Sequence, residues 1–555
     1  MFNQIVHEDY ILLICSFLPL AEKSNFRLTS SLFNNICLKT INELYYNSFL
    51  DITDDNVLNH SEFFSNITKI HCPVNCKIST NGLKTMKNLK SISIQKNYEH
   101  MFDFSELTTI EEINVDTPSQ MEYCEIDCDK LKNLNLKKIH LGYLPVDHFL
   151  SFHNFKNLVD VELSFHRDIN CNAQEKCLEL LSNNLKLTHL NIVTQYDLDL
   201  NNFVTLTHLT IYSHQITNKS IAKLFQLKYL FVYIGEINCI KNLINLEEYH
   251  GRILDFSNQC KLKKIYLSGN DNLQSKHLFS LKSSINSLEF LELRFFDYDI
   301  DFISNIDFIN NLINLKHLGL HWYTVSNLTK IIKIDLSKLS KLRYVGVNAN
   351  ILLIGKLPSS LKEIVIDYNG DNGTAIVLPH PHNINKISAY TKVPIKNIGN
   401  NLVDFTHCGE ISSDVINELS YNKGLVKLDI RSCIPCSVIN DNFHNLQSLS
   451  IDGRGKMTIK SLNKLKNLKF LSLNKCIVES NCIQDLDLVK LSIDHLNNDL
   501  IFNPQKIKYL SVIECPKQTI NFKGLINLIR AYLMSTGNVY TINGKLGEQF
   551  TFSKN

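Results

Sequence analysis

The sequence lacks an excess of charge of either sign. Its 555 residues carry 57 basic and 55 acidic side chains, which leaves a formal net charge of +2 at pH 7. It contains no run of five or more basic residues. Proteins that bind nucleic acid or an anionic membrane through their bulk charge need a basic excess or a basic patch. The charge balance therefore predicts neither nucleic acid nor a membrane as the partner.

Long apolar runs are also lacking, and none approaches the roughly 18 residues of a membrane span. The apolar stretch near the N-terminus follows His7, Glu8 and Asp9, where a secretory signal has Lys or Arg. The 16 cysteines are scattered along the chain and not grouped as in a secreted disulfide framework. We expect an intracellular protein with reduced thiols. The expected compartment is the cytoplasm, which is that of the host cell if the chain is viral, and the nucleus is the alternative.

Signatures of common catalytic sites are missing too. The patterns HExxH, GxSxG and GxxxxGKS/T do not occur. Three cysteine pairs have spacings that could hold zinc, namely Cys433 with Cys436, Cys72 with Cys76 and Cys124 with Cys128. None has a second pair at zinc-finger spacing. The sequence therefore predicts no metal and no cofactor.

What the sequence does contain is a motif of the form Leu-x-x-Leu-x-Leu that returns from Ile67 to Leu533. Counting from Ile67 to Leu528 gives about 22 copies with a mean step of roughly 22 residues, inside the range of leucine-rich repeats. Clear copies are LKSISI from Leu89, LTHLTI from Leu206, LKYLFV from Leu227, LEFLEL from Leu288, LKHLGL from Leu315 and LQSLSI from Leu446. The motif predicts an α/β solenoid, a leucine-rich repeat horseshoe with a parallel concave sheet.

The repeat also predicts a binding surface. Residues alternate along a strand, so the second and third Leu positions point inward and their neighbours face solvent. Strands at about 4.8 Å spacing would make this concave wall roughly 100 Å long. We therefore expect a macromolecular partner, an unidentified target protein. So little chain lies outside the array that we expect no catalytic domain and no enzymatic activity.

The concave positions are the second, fourth and sixth residues after the first Leu of each copy. In the middle third of the chain they are rich in aromatic side chains and arginine, which often anchor protein interfaces. The candidate partner-binding residues are Tyr212, Tyr229, Phe231, Tyr233, Tyr266, Phe290, Arg294, His317, His321 and Tyr344. The alternative is that these rings stack on their neighbours and stabilise the sheet.

The first fifty residues do not follow the repeat. From Val6 to Ile36 the chain has apolar residues at helical spacing, and Pro19 ends the first helix. This segment resembles the F-box, whose pattern runs Leu-Pro-x-Glu, then a helix ending Ile-Leu-x-x-Leu, then Val-Ser-Lys before Trp or Phe. The matching stretches are Val6 to Tyr10, Ile14 to Leu18, and Leu28 to Ser30 with Phe33, and His7 stands where the family has proline.

The resemblance implies that this segment docks on a Skp1-like adaptor and through it on a cullin. The repeats would then hold the target, and the chain would be the non-catalytic substrate-recognition subunit of an SCF-type E3 ubiquitin ligase. The positions that match the family's adaptor-facing pattern are Val6, Ile11, Leu12, Ile14, Leu18, Leu28 and Phe33. The richness in Ile, Asn and Lys and the stretch LPSSLKEIVI resemble F-box and repeat proteins of amoebae or of the giant DNA viruses that infect them.

The predicted domains are an F-box-like helical domain at 1–48, a connector or N-terminal cap at 49–66, the repeat array at 67–533, and a C-terminal cap at 534–555. Asn543 and Gly544 predict a hairpin turn in this last cap. An alternative to the ligase subunit remains, because the N-terminal helices could simply cap the solenoid. The chain would then be a repeat scaffold or a host-directed effector.

Overall fold

The computed structural model describes residues 43–45, 54–543 and 553–554, with gaps. The gaps are at 60, 73–77, 96–102, 117–130, 145–154, 166–168, 214, 234–239, 253–254, 270–274, 296–305, 323–331, 349–350, 368–375, 380–382, 392–394, 410, 412, 432–441, 454–457, 460, 497–499, 514–526, 528–529 and 536–537. The chain divides into two compact units, Met1–Gln259 and Cys260–Asn555.

The N-terminal unit is built on parallel strands, one for each copy of the motif and one before the first copy. Each strand pairs in parallel with the next one along the chain. The strands are β1 Glu43–Tyr45, β2 Lys69–Cys72, β3 Ser91–Gln95, β4 Glu112–Asp116, β5 Lys138–Leu144, β6 Asp160–Phe165, β7 His189–Val193, β8 His208–Tyr212, β9 Tyr229–Val232 and β10 Glu248–Gly251.

The register places equivalent residues of successive copies side by side. Leu190 of β7 pairs with Leu209 of β8, which pairs with Leu230 of β9. All three side chains are buried, as are the inward residues on either side of them. Because each inward residue packs on the same residue of the next copy, the apolar rows form one continuous core within the unit.

Short helices lie on the return paths between strands of this unit. They are α1 Asp54–Asn59, α2 Ser61–Phe64, α3 Thr80–Thr85 and α4 Cys171–Ser182, with 3-10 helices at Phe104–Glu106 and Lys219–Ile221. The longest, α4, begins where the side chain of Asn170 accepts a hydrogen bond from the Ala173 amide at 2.9 Å. It buries Gln174, Cys177, Leu178 and Leu181 along one side.

The C-terminal unit repeats this plan over a longer stretch. Its strands are β11 Lys264–Gly269, β12 Phe290–Phe295, β13 His317–Trp322, β14 Ile332–Asp335, β15 Tyr344–Asn348, β16 Ile351–Ile354, β17 Glu363–Asp367, β18 Ile376–Val377, β19 Lys386–Tyr390, β20 Ile395–Lys396, β21 Asp404–Cys408, β22 Lys427–Arg431, β23 Ser448–Asp452, β24 Thr458–Ile459, β25 Phe470–Asn474, β26 Ile477–Val478, β27 Lys490–Asp494, β28 Tyr509–Ile513, β29 Arg530–Ser535, β30 Asn538–Asn543 and β31 Ser553–Lys554.

Thirteen of these strands follow the motif and pair in parallel in chain order from β11 to β29. The return paths add three parallel pairs, β14 with β16, β18 with β20 and β24 with β26. The helices of this unit are α5 Ser275–Ser280 and α6 Ser413–Ser420, with 3-10 helices at Leu281–Ser284 and Ile306–Asn311. The predicted leucine-rich repeat solenoid is confirmed in each unit, whereas residues 1–42 of the predicted F-box-like helical domain lie outside the described residues.

The end of the chain changes from parallel to antiparallel pairing. Strand β30 runs antiparallel to β29, and β31 runs antiparallel to β30. The residues that join β30 to β31 begin at Gly544, where the sequence predicts a turn, and they lie outside the described residues. The extra β29–β30 hairpin covers an edge that a further repeat would otherwise occupy.

An asparagine immediately before the first Leu of many copies links neighbouring repeats. Its side-chain amide donates a hydrogen bond to a backbone carbonyl of the preceding copy, always two residues before the first inward residue of that copy. The pairs are Asn88 with Ser65, Asn245 with Phe225, Asn314 with Asn286, Asn445 with Lys423, Asn467 with His444 and Asn527 with Gln505, at 2.6–2.8 Å. We call this row the asparagine ladder.

We predict that Asn467→Asp lowers the free energy of unfolding by about 1 kcal/mol, because the donor is lost and a carboxylate then faces the His444 carbonyl. Urea denaturation of the full chain measures the change. Asn202→Asp makes the same chemical change at an exposed asparagine outside the ladder and serves as the control. Equal stability of the two variants would contradict a stabilising role for the ladder.

Candidate binding face of the parallel sheets

The residues between the inward positions form the exposed face of each sheet, which we call the strand face. In β8, for example, Leu209 and Ile211 are buried, whereas His208, Thr210 and Tyr212 are partly or fully exposed. These outward residues occupy the second, fourth and sixth places after the first Leu, as the repeat predicts. Parallel pairing therefore arranges them in three rows across the strands of each unit.

In the N-terminal unit the row of second places is a stack of rings. The centroids of His189 and His208 are 4.1 Å apart with an 11° angle between the planes. Tyr229 lies 5.8 Å beyond His208, and His250, from a fourth place, lies 5.4 Å beyond Tyr229. Because neighbouring rings cover one another's faces, a ligand would meet mainly the ring edges.

Threonine hydroxyls hold the two histidine rings of this stack. The Thr188 hydroxyl lies 3.3 Å from the Val159 carbonyl and 2.8 Å from Nδ1 of His189. Thr207 holds His208 in the same way, with Nδ1 at 2.9 Å.

A shallow cavity of about 230 Å³ opens beside these two histidines. Its lining includes His140, Asp160, Glu162 and Asn191 as well as the stacked rings. The Asp160 carboxylate, 3.5 Å from Nε2 of His140, raises the pKa of that imidazole, whereas burial lowers the pKa of His208. With the two carboxylates of Asp160 and Glu162 on its lining, the cavity is suited to accept hydrogen bonds from donor groups of a ligand.

Four of the predicted partner-binding residues lie together in this unit. Tyr212 lies 5.3 Å from Phe231 and 5.8 Å from Tyr233, measured between ring centroids. Tyr229 belongs to the ring stack described above. Tyr212 and Tyr233 keep 39% and 59% of their surface exposed. The rings therefore fit both alternatives, stacking on neighbours and partner binding, since they pack on one another and still present a large aromatic surface. We call Tyr212, Phe231 and Tyr233 the aromatic cluster.

In the C-terminal unit the row of second places is again a ring stack. The centroid of Tyr266, from a fourth place, lies 4.3 Å from that of Phe290. His317 follows at 3.8 Å and Tyr344 at 4.0 Å, with interplanar angles of 7° and 2°. The tight spacing shows that Phe290, His317 and Tyr344 support the sheet through their faces and offer only their edges to a partner.

Beside this stack lies a buried ionic cluster. The Glu292 carboxylate is 2.9 Å from Nε2 of His317, 3.3 Å from Nε2 of His321 and 3.0 Å from Nε of Arg294. Nδ1 of His321 is in turn 3.1 Å from the Asp367 carboxylate. Glu292 and His321 are each only 5% exposed, while the Arg294 side chain remains half-exposed. His321 is therefore held between two carboxylates, and Arg294 and Asp367 are the parts of the cluster that a partner can reach.

Two glycines make room for this cluster. A Cβ at Gly319 would overlap the Glu292 carboxylate, and one at Gly346 would lie 2.9 Å from Nε2 of His321. Both glycines occupy fourth places of the motif, where other copies carry a side chain. The missing side chains allow a carboxylate and an imidazole to lie flat against the sheet.

Glu292, Asp367 and the two glycines are not among the residues predicted from the sequence. The predicted residues are aromatic, histidine and arginine side chains, and Glu292 occupies the fourth place of the copy that supplies Phe290 and Arg294. The signal was the pair of glycines at equivalent places of adjacent copies, directly after a copy with a carboxylate there. Cross-strand pairing places Glu292 beside Gly319 and Gly319 beside Gly346.

Burial alone would lower the pKa of His321, but Asp367 and Glu292 outweigh it and raise the pKa to about 9. Burial also disfavours the charged form of Glu292 and by itself would raise the pKa of this carboxyl. Hydrogen bonds from His317 and His321 more than compensate, so the pKa of Glu292 lies below its ordinary value. At neutral pH the cluster therefore contains a protonated His321 imidazole beside the ionised Glu292 carboxylate.

We predict that this ion pairing stabilises the fold by up to about 3 kcal/mol at low and neutral pH, from a shift of the His321 pKa from 6.5 to about 9. Since the folded-state pKa is the higher one, the contribution is complete below pH 6.5 and is lost as the pH rises through 9. The free energy of unfolding of the wild-type chain should fall over this range by more than that of His321→Gln. His444→Gln, at an exposed histidine, is the control. Parallel pH profiles of the wild-type chain and His321→Gln would contradict the account.

Some predicted sites cannot be placed. The seven predicted adaptor-contacting positions, from Val6 to Phe33, lie outside the described residues. Of the cysteines with zinc-like spacing, Cys72 is buried at an inward position, and the others lie outside the described residues. Among the residues that the structure describes, no helix is long and apolar enough to cross a membrane, and no three His, Cys, Asp or Glu side chains are grouped as metal ligands.

Comparisons with known proteins gave matches among solved structures only. No protein-family model matches the chain, and no curated protein matches it. It is similar to the protein of a TLR13–ssRNA13 complex, with 15% identity over 90% of this chain and 78% of that one and a TM-score of 0.48. It is also similar to CroV588, a circular leucine-rich repeat protein, with 16% identity over 89% and 69% and a TM-score of 0.45. An internalin from Listeria monocytogenes matches with 16% identity over 67% and 88% and a TM-score of 0.34.

Proposed function

We propose that the chain is a non-catalytic binding protein whose strand face holds a target protein. The observation that carries this proposal is the aromatic cluster. Phe231 in β9 and Tyr233 just after it have ring centroids within 6 Å of that of Tyr212 in β8, and the two tyrosines are 59% (Tyr233) and 39% (Tyr212) exposed. Grouped, exposed aromatic side chains on rigid strands are the kind of anchor that provides most of the binding energy of protein interfaces.

The state of the thiols supports a non-catalytic role. Burial raises the pKa of Cys476 to about 11 and that of Cys482 to about 12. A cysteine nucleophile needs a thiolate near neutral pH, so neither thiol is suited to covalent catalysis.

We predict that replacing Tyr212, Phe231 and Tyr233 together with alanine reduces target capture at least tenfold, because each truncated anchor removes about 2 kcal/mol of binding energy. Capture is measured in cells by cross-linking the full chain to its partners and quantifying each partner by mass spectrometry. Tyr421→Ala removes a ring that is 74% exposed and lies off the strand face, and it should change nothing. An unchanged set of partners for the folded triple variant would exclude this surface.

The more specific role that we propose is the substrate-recognition subunit of an SCF-type E3 ubiquitin ligase. Its support is the resemblance of the segment from Val6 to Ile36 to the F-box, followed directly by repeats able to hold a target. In this role the N-terminal segment binds a Skp1-like adaptor, and the adaptor links the chain to a cullin. The second candidate is a repeat scaffold or host-directed effector, which the solenoids and the aromatic cluster support equally well.

We predict that the full chain binds purified Skp1 and that Ile14→Asp combined with Leu18→Asp abolishes the binding, since both positions match the apolar pattern that faces the adaptor. A pull-down with tagged Skp1 makes the measurement. Ser24→Asp introduces the same charge outside that pattern and should bind normally. If the unmutated chain does not bind Skp1, the ligase role is excluded and the scaffold remains.

A further inference from the structure

Four consecutive repeats of the N-terminal unit expose an apolar side chain at one equivalent position. The residues are Leu185, Val204, Phe225 and Ile244, which are 75%, 52%, 50% and 53% exposed. Each lies two residues before the first inward Leu of its copy, in the turn that leads into β7, β8, β9 or β10. We call this row the apolar file. It lies outside the strand face, whose residues begin two places after that Leu.

The backbone sets the four side chains in line. In each turn the amide of the first inward Leu donates to the carbonyl three residues earlier, at 3.0–3.2 Å. The strands that follow pair in register, His189 with His208, His208 with Tyr229 and Tyr229 with Glu248, and each of these lies four residues after a member of the file. At a strand spacing of about 4.8 Å, the file is roughly 15 Å long.

The fold does not require apolar residues at this position. Earlier copies of the same unit have Lys87, Thr108 and Lys156 there, and later copies in the C-terminal unit have Ser340 and Lys423. The four side chains also do not fill the core, since half or more of each is exposed. A continuous row of exposed apolar side chains on a repeat protein marks a surface that another molecule covers.

The charges around the file indicate what kind of molecule that is. Lys186 and Lys223 are exposed in the same turns, one residue after Leu185 and two residues before Phe225. Lys228 and Glu247 occupy equivalent places three residues after Phe225 and Ile244. Their opposite charges offset each other and leave Lys186 and Lys223 as the excess charge. Lys241, three residues before Ile244, is paired with Asp255 at 3.4 Å. A second copy of this chain packing file against file would bring these lysines together, which like charges oppose. The surroundings favour a partner with apolar residues flanked by carboxylates.

The spacing indicates the partner's secondary structure. An α-helix rises 1.5 Å per residue, so an apolar stripe at i, i+4, i+7 and i+11 places one side chain about every 5.5 Å. That period nearly matches the strand spacing, so a helix lying along the file sets one apolar residue against each repeat for about three turns. We propose that the apolar file is a docking site for an acidic amphipathic helix of a partner protein, held by its apolar stripe and by the flanking lysines.

A designed peptide tests this proposal on the full chain. The probe is a fluorescent 18-residue helix with leucine at i, i+4, i+7 and i+11 and glutamate at its flanking positions, titrated by fluorescence anisotropy. We expect saturable binding with a Kd of about 0.1 mM or tighter, a value in the range of weak peptide recognition. A peptide with lysine in place of each glutamate should bind at least tenfold more weakly.

Two sets of substitutions locate the binding. A quadruple variant carries threonine, the residue already present at Thr108, at each position of the file: Leu185→Thr, Val204→Thr, Phe225→Thr and Ile244→Thr. This variant should bind the helical peptide at least tenfold more weakly. The control Ile313→Thr with Ile501→Thr changes apolar side chains with the same exposure, 50% and 53%, in the C-terminal unit and should leave binding unchanged. The alanine variant of the aromatic cluster should also bind normally, so this test is independent of the proposed strand-face function.

Three results would overturn the proposal. The first is equal binding of the helix by the wild-type chain and the quadruple variant. The second is equal affinity for the glutamate and lysine peptides. The third is that the wild-type chain binds phosphatidylserine vesicles but not the helix and that the quadruple variant does not bind the vesicles. That result would make the apolar file a membrane contact instead.

Discussion

In-register parallel pairing is the constraint on which every row of this molecule depends. Each residue of a strand lies beside its equivalent in the next copy, so one choice of residue type repeated in sequence becomes a continuous line in space. Inward leucines become a core, and asparagines become a ladder of hydrogen bonds from side-chain amides to backbone carbonyls. Oppositely charged neighbours become ion pairs, as for Glu363 with Lys386 at 2.6 Å and Asp404 with Lys427 at 3.3 Å. Without fixed register, none of these rows would form.

The same constraint separates supporting residues from residues available for binding. Rings at the second places stack at 4–6 Å and cover one another, so they stabilise the sheet. Rings at the sixth places, Tyr212 at the end of β8 and Tyr233 just after β9, stay exposed. The ionic cluster around Glu292 shows a third outcome, in which Gly319 and Gly346 leave room for the charged side chains of Glu292 and His321 to be buried. Function therefore depends on which row a residue occupies as much as on its type.

The sequence was sufficient to predict the strands and their inward positions, because the motif has a fixed spacing and the strand has a period of two. Tyr249 illustrates this, since it occupies an inward place in a copy that reads LEEYHG and is 1% exposed. The asparagine ladder could also have been found, because Asn-Leu opens many copies. The Glu292 cluster and the apolar file could not be recognised residue by residue, since each arises from side chains of three or four copies that only the register brings together. The return-path strand pairs were missed for a different reason, because these segments vary in length and carry no fixed motif.

Hydroxyl-radical footprinting of the full chain tests the register most directly. Oxidation of tyrosine rings depends on their exposure, and a slip of one residue would exchange the inward and outward faces of a strand. The account predicts that Tyr212 and Tyr233 are oxidised rapidly in the folded chain and that Tyr249 reacts only on unfolding. Oxidation of folded Tyr249 as fast as Tyr233 would contradict the strand register and, with it, the assignment of both binding surfaces.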